Sequence, residues 1–340
     1  MSVGTVKLHQ MTPPAMLAEP PVVHAAPCVQ LNNGNPIPLI GLGTWQAEPE
    51  KLKESVKVAI QMGYRHVDCA AIYGNEEAVG EALQECFQEG ICRREDLFVT
   101  SKLWNNSHGD EATVMKALQQ TLDDLKLDYL DMYLIHWPVP LWKGSNFDNG
   151  LKFHTLEERP LETTWKSMES CVQAGKTKGI GVSNFSVPKL KHILDNCTIP
   201  PAINQAEHHP YLQQTKLRQF CREHNIHMTG FSPLASTNHK PSDDLPPLLE
   251  HPTIVALAKE KNATPAQVVL RWAMLQQTSV IPKSTHQDRI RENLAAVDLS
   301  LTETDMNQIA QLDANVRTVQ GDIFTSEPGC PFTQSTLWDE

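Results

Sequence analysis

This sequence predicts an α/β fold: a single (β/α)8 barrel with an N-terminal β-hairpin and extra helices. Three observations point there. Short apolar runs alternate with amphipathic stretches eight times, which implies parallel strands joined by helical crossovers. The chain has 340 residues, and eight such units in that length favour a closed barrel over an open doubly wound sheet. Ahead of the first unit stands Asn33-Gly34, the strongest short hairpin signal.

The elements follow in order. Residues 1–27 include MTPPAMLAEPPVVHAAP, rich in Pro and Ala without an amphipathic period. They read as a flexible arm outside the core, leaving residues 28–340 as the barrel. The pattern becomes regular at Val29, and the hairpin around Asn33-Gly34 would cap the bottom of the barrel. Strands are expected over residues 39–43, 65–68, 97–101, 132–136, 179–182, 203–207, 228–231 and 279–281. Helices are expected over residues 49–62, 75–89, 110–125, 161–174, 187–196, 215–224, 265–275 and 288–293. Helical stretches at 252–261 and 302–312 lie outside the alternation, and the tail after Asp313 reads as irregular.

Composition narrows the function. The chain is 40% hydrophobic and 20% charged, an ordinary globular mix. No run approaches the ~20 apolar residues of a membrane helix, so a membrane-spanning protein is not expected. The formal charge is −11, from 29 basic against 40 acidic residues. That field repels a phosphate backbone, so nucleic acid is not expected as a partner. It still allows a small anionic cofactor in a local basic pocket. Eight cysteines form no C-x-x-C pair, and the N-terminus lacks a charged start followed by an apolar run. Reduced thiols in the cytoplasm are the expectation.

In such a barrel, chemistry belongs at the C-terminal ends of the strands. Asp68 ends the second strand, with Tyr73 in the loop beyond. Lys102 follows the third and His136 ends the fourth. Ser183 and Asn184 follow the fifth, Gln205 lies on the sixth, and Lys283 and Ser284 follow the eighth. Each is unremarkable alone, and a buried Asp-Lys pair can be a plain ion pair. Together an acid, an amine, a phenol and an imidazole can donate a proton to a carbonyl oxygen. A phenol is a weak acid at neutral pH. A Lys beside it favours phenolate, and Asp keeps that Lys charged and oriented. Metal binding is not expected: His208 and His209 are adjacent and diverge, and His224 and His227 straddle a helix-strand junction. GLGTWQ lacks the third glycine of the dinucleotide fingerprint, and no phosphate-loop or H-E-x-x-H motif occurs.

The runs GYRHVDCAAIYGNE, SKLW, LIHWP, GVSNF, NQAEHHPY, FSPLAS and IPKST, in that order from Val29 to Asp313, resemble the aldo-keto reductases. The resemblance implies an NADPH-dependent carbonyl reductase with NADPH/NADP+ as cofactor and a tetrad of Asp68, Tyr73, Lys102 and His136. Tyr73 would be the general acid, its pKa depressed by Lys102, and His136 would direct the carbonyl toward it. By the same resemblance Ser183, Asn184 and Gln205 would hold the carboxamide. Thr44 and Trp45 would sit beside the cofactor, Phe231 would stack on the nicotinamide, and Ser232 and Leu234 would lie along the pyrophosphate. Lys283, Ser284 and Arg289 would clamp the 2′-phosphate, with Glu292 and Asn293 on the adenine. Trp45, Trp104 and Trp137 would wall the substrate. Three departures from the family pattern stand out: Phe231 where Tyr is usual, His286 in the phosphate clamp, and Gln46 in place of Lys. The loop over 139–159 and the tail, with Phe332 and Trp338, would set specificity. The partner implied is a small carbonyl compound, glyceraldehyde-like or a sugar, turned over by a monomer or weak homodimer. The alternatives are a non-catalytic barrel subunit and a Schiff-base aldolase using Lys102.

Overall fold

The computed structural model describes residues 26–145, 147, 150–235, 245–327 and 329–340. Apart from Ala26 and Pro27, the arm expected over residues 1–27 lies outside them. Strands β1 (Cys28–Gln30) and β2 (Pro36–Pro38) pair antiparallel. Their turn carries Gly34 at φ 83°, a left-handed conformation that glycine adopts without a Cβ clash. The Asn32 amide donates to Pro201 O at 3.0 Å and the Asn33 amide to Lys178 O at 3.2 Å. Both acceptors precede barrel strands, so the hairpin does cap the bottom. Its Leu31 and Ile37 pack there with Phe98, Met132, Leu134 and Ile203.

The barrel strands are β3 (Leu42–Gly43), β4 (His66–Asp68), β5 (Phe98–Leu103), β6 (Met132–Ile135), β7 (Ile180–Ser183), β8 (Ile203–Glu207), β9 (His227–Phe231) and β10 (Ser279–Val280). They lie side by side in chain order, all parallel. Parallel bridges Ile40 to Val280 and Gly43 to Lys283 join the first strand to the last, with Gly41 N donating to Val280 O at 2.8 Å. The sheet therefore closes. The first strand is shorter than the expected 39–43 because Leu39 to Gly41 meet the last strand before β4 begins.

Among the described residues eight helices follow the strands: α1 (Pro49–Met62), α2 (Glu76–Gln88), α3 (Glu111–Leu125), α4 (Leu161–Gln173), α5 (Val187–Asn196), α6 (Thr215–Glu223), α8 (Pro265–Leu275) and α9 (Gln287–Ala295). The expected extra helices appear as α7 (Pro252–Glu260) and α10 (Glu303–Ala310). Local chemistry starts several of them. Asp110 and Ser186 accept from Thr113 N and Lys189 N, and Thr264 and Gln267 form a capping box. On α1 the inward residues Leu52, Val56, Ala59 and Ile60 recur at three- and four-residue spacing. The tail departs from its irregular expectation: α11 (Gln334–Trp338) is a short helix started by Thr333.

A strand turns successive side chains to opposite faces, and on β5 that separates two chemistries. Phe98, Thr100 and Lys102 face the barrel interior, where Thr100 meets His66 and Lys102 meets Asp68. Val99 and Leu103 face the helices and join the main apolar core. Ser101 shares that outer face and bonds Glu76 at the start of α2.

Candidate active site

Three neighbouring strand ends bring the expected acid, amine, phenol and imidazole together. Asp68 closes β4 and Lys102 stands near the end of β5. Tyr73 ends a single 3-10 turn, Ala71–Tyr73, beyond β4, and His136 follows β6 by one residue. Lys102 and Asp68 are almost fully buried. The Lys102 ammonium uses all three protons, donating to Asp68 Oδ2 at 2.5 Å, Cys69 O at 2.8 Å and the Tyr73 hydroxyl at 3.3 Å. The other Asp68 oxygen accepts from the Gln205 amide at 2.7 Å, while Thr44 Oγ1 donates to Asp68 O at 2.8 Å. Burial pulls the Lys102 ammonium toward neutrality. Asp68 and the Tyr73 phenol outweigh it, and the ammonium ends above its usual pKa.

Tyr73 behaves otherwise than expected. Burial pushes its phenol above the ordinary tyrosine value, and the opposing pull of Lys102 does not cancel it. Lys102 therefore limits a desolvation penalty here and leaves no net depression. Burial, and then Lys102, hold His136 well below its usual pKa, so the imidazole is neutral. Its ring stands edge-on to Tyr73 at 5.8 Å and to Trp104 at 5.3 Å. The Asn184 amide donates to His136 O at 3.0 Å and fixes that backbone.

Asp68, Tyr73 and His136 line a cavity of about 400 Å³, and the fully buried Lys102 lies behind its wall, in contact with the Tyr73 hydroxyl. Thr44, Trp45, Trp104, Trp137, Ser183, Asn184, Gln205, Phe231, Ser232 and Lys283 share that wall, as expected. Leu234, Ser284, Arg289, Glu292 and Asn293 do not line it. The last four run from the strand-eight loop into α9, where Thr264 Oγ1 donates to Glu292 at 2.7 Å. Lys283 and Arg289 are exposed and form no ion pair within the described residues. Among the described residues Asn184 Oδ1 is buried without a hydrogen-bond partner. Such an unpaired acceptor, sharing the cavity wall with the half-buried Phe231 ring, fits a planar carboxamide-bearing ring; exposed cations farther along fit a phosphate.

Several lining residues have no signal in the sequence: Ile72, Val319 and Ile323. Phe147, from the loop over 139–159, lines the cavity as well. Phe332 and Trp338 do not line it. They join an apolar cluster behind the wall with Trp104, Trp137, Phe324 and Leu337. Phe324 packs 5.1 Å from Trp137, and Trp338 packs 5.7 Å from it.

What holds the tail is a buried carboxylate that sequence reading passed over. Glu207 ends β8 almost fully buried. It accepts from His209 Nε2 at 2.8 Å, Thr318 N at 2.8 Å, Val319 N at 2.9 Å and the Thr318 hydroxyl. Burial raises the carboxyl, but these donors outweigh it and hold it below its ordinary pKa. At the far end, Lys189 donates to Leu337 O at 3.0 Å and Asp339 Oδ2 at 2.5 Å. Elsewhere, no group of three or more His, Cys, Asp or Glu that could hold a metal ion occurs among the described residues. His208 stacks on Trp272 and His227 bonds Ser279. No described helix is long and apolar enough to cross a membrane.

Comparison with known proteins bears on this geometry. The model of the aldo/keto reductase family matches residues 39–314. The chain is 46% identical over 314 residues to the aldo/keto reductase slr0942 of Synechocystis sp., covering 91% of this chain and 95% of that protein. It is 44% identical to aldo-keto reductase family 1 member A1 of Gallus gallus, covering 89% and 95%. The solved aldose reductase of Schistosoma japonicum superposes with a TM-score of 0.81 at 37% identity, over 90% of this chain and 98% of that one.

Proposed function

The chain belongs to the aldo/keto reductase family, oxidoreductases that act on carbonyl and alcohol groups, and on that footing we propose that it reduces aldehydes and ketones, glyceraldehyde-like compounds and sugars among them, to alcohols with NADPH. The observation that carries this reading is the chain of contacts Asp68–Lys102–Tyr73 opening on a cavity that His136 also lines. Bound NADPH would supply the hydride to the carbonyl carbon. Ser183, Asn184 and Gln205 would hold its carboxamide end, with Thr44 and Trp45 beside it and Phe231 as the stacking face. Ser232 and Leu234 would hold the pyrophosphate. Lys283, Ser284 and Arg289 would bind the 2′-phosphate, and Glu292 and Asn293 the adenine.

The chain's own residues handle the proton. Tyr73 donates its phenolic proton to the carbonyl oxygen as negative charge develops there. The Lys102 ammonium, 3.3 Å away, stabilises the phenolate left behind, and Asp68 keeps that ammonium in place. Neutral His136 orients the carbonyl oxygen toward Tyr73, and water returns the proton to Tyr73 afterwards. Trp45, Trp104 and Trp137 exclude water and shape the substrate.

The engaged ammonium of Lys102 disfavours the aldolase alternative. A Schiff base needs a free neutral amine, and all three Lys102 protons are committed. The complete constellation likewise disfavours a non-catalytic barrel. All eight cysteines are free, in keeping with a reducing cytoplasm, where we place the protein as a monomer or weak homodimer.

Two measurements test the reading. Tyr73→Phe lowers turnover by ~10²–10⁴-fold while NADPH affinity, followed by quenching of protein fluorescence, holds. Near wild-type turnover on a good aldehyde removes Tyr73 from the mechanism. Arg289→Ala weakens NADPH about tenfold and NADH little, as loss of one charge-assisted phosphate contact implies. Equal weakening of both cofactors shows that Arg289 does not read the 2′-phosphate.

A further inference from the structure

At the opposite end of the barrel a second cleft, of about 430 Å³, opens between the hairpin and the starts of the last strands. His227 and Met228, which line it, begin β9; Phe231, at the other end of β9, lines the catalytic cavity. The two openings therefore face away from each other. The second cleft has an apolar side, formed by Val29, Leu31 and Ile226, and a basic side, formed by Arg218 and Arg222.

The arginine pair is the anomaly. The two lie four residues apart on α6, so they project from one face of the helix. Neither makes an ion pair among the described residues, although the chain carries 40 acidic residues against 29 basic ones. Arg218 is half-buried, and its hydrogen-bond partner among the described residues is Gln213 O at 3.5 Å, the outer limit for such a bond. Burial first, then the charge of Arg222, pull its guanidinium down to about 10. Charges removed from water are ordinarily paired. Here two like charges share one cleft without a counter-charge among the described residues, and an anion placed between them relieves both desolvation and repulsion. A phosphate suits the pair: its oxygens match the guanidinium fork, and a dianion neutralises two cations.

We propose that this cleft binds a small organic phosphate, the phosphate between Arg218 and Arg222 and the apolar body against Leu31 and Ile226. The site is separate from the catalytic cavity and does not depend on the reaction assigned there. Its ligand is a phosphate monoester with a compact apolar body, such as an aryl or short alkyl group.

Calorimetric titration of the full chain with phenyl phosphate tests this, with inorganic phosphate and phenol as the two halves of the probe. The wild-type protein binds phenyl phosphate saturably, and more tightly than either half. The double variant R218Q/R222Q loses at least tenfold in affinity, as does R222Q alone in lesser degree. Because Arg222 is exposed, the single variant remains informative if the double one folds poorly. With NADP+ saturating, which fills the proposed clamp of Lys283, Ser284 and Arg289 at the other end of the barrel, phenyl phosphate binds as it does without NADP+. Three results overturn the proposal: undiminished binding by R218Q/R222Q and R222Q, loss of binding when NADP+ is saturating, or no saturable binding up to about 10 mM, the range of negligible affinity. Equal affinity for inorganic phosphate and phenyl phosphate overturns the apolar half of the site.

Discussion

The carboxyl of Glu76 takes no part in the proposed proton transfer, yet it sets a pH dependence of its own. It is buried at the start of α2, accepting from Ser101 Oγ at 2.5 Å and Thr121 Oγ1 at 3.1 Å. Burial pushes it up from 4.5 to about 7; the two hydroxyls and Lys102 pull against that, and Asp124 adds to it. The folded state thus holds this proton more tightly than the unfolded chain. The stability it contributes is fully present below pH 4.5 and is lost as pH rises through about 7, ~3 kcal/mol in all. Buried histidines such as His66 and His108, held near 3 first by desolvation, act in the opposite sense: their stability is lost as pH falls below 6.5. The diagnostic quantity is therefore the stability of wild type minus that of Glu76→Gln, from urea unfolding at pH 5 and pH 8. We expect that difference to fall by a few kcal/mol toward pH 8; a pH-independent difference refutes the assignment. At this scale the sequence exposed Asp68, Tyr73, Lys102 and His136, since each follows an apolar run. It did not expose Glu76 or Glu207, because their partners, Ser101 and Thr318, are far along the chain.

At the scale of elements, helix boundaries were legible because a stripe of apolar residues must face the sheet. The Leu52–Val56–Ala59–Ile60 face of α1 is one instance. The five-residue α11 escaped because a segment that short holds barely one period, and its start depends on the Thr333 cap. Gly80, inside α2, marks a contact that periodicity cannot show. A Cβ there would lie 2.4 Å from Asp124 O and 2.7 Å from the Leu125 carbonyl carbon, both backbone atoms at the end of α3. Alanine in a helix interior ordinarily gains ~0.5–1 kcal/mol over glycine. Here the sign reverses, because α2 and α3 must separate, an overpacking penalty of ~1–3 kcal/mol. Chemical denaturation of Gly80→Ala checks this, and a variant as stable as wild type means that the two helices do not approach so closely.

At the scale of the molecule, the barrel supplies the proposed reaction groups and the tail supplies part of the cavity wall. Of the proposed tetrad, Asp68, Lys102 and His136 stand at strand ends that closure of the sheet holds fixed, and Tyr73 stands on the turn beyond β4. Val319 and Ile323 belong to a segment whose regular structure is one 3-10 turn, Asp322–Phe324, and Glu207 is what ties that segment to β8. Removing the tail from Phe324 would delete Phe324, Phe332, Leu337 and Trp338 together and uncover Trp104 and Trp137. Lost selectivity and lost stability would then be confounded. Glu207→Gln separates them: it keeps the side-chain shape but removes the charge that accepts from Thr318 N and Val319 N. Such charge-assisted bonds are the stronger class, so the strap should loosen while the cluster around Trp137 remains, held at its other end by Lys189. The expected outcome is a changed ratio of kcat/KM between a small polar aldehyde and a bulky aromatic one, carried mainly by KM. NADPH affinity should stay within roughly twofold: of the proposed cofactor residues Gln205 alone shares β8, and its amide is held independently by Asp68, while the rest lie on other strand ends and on α9; loops on a rigid barrel commonly carry specificity in this way. An unchanged ratio in a folded Glu207→Gln protein would separate the tail from substrate choice, leaving the tryptophans and Phe147 as its determinants.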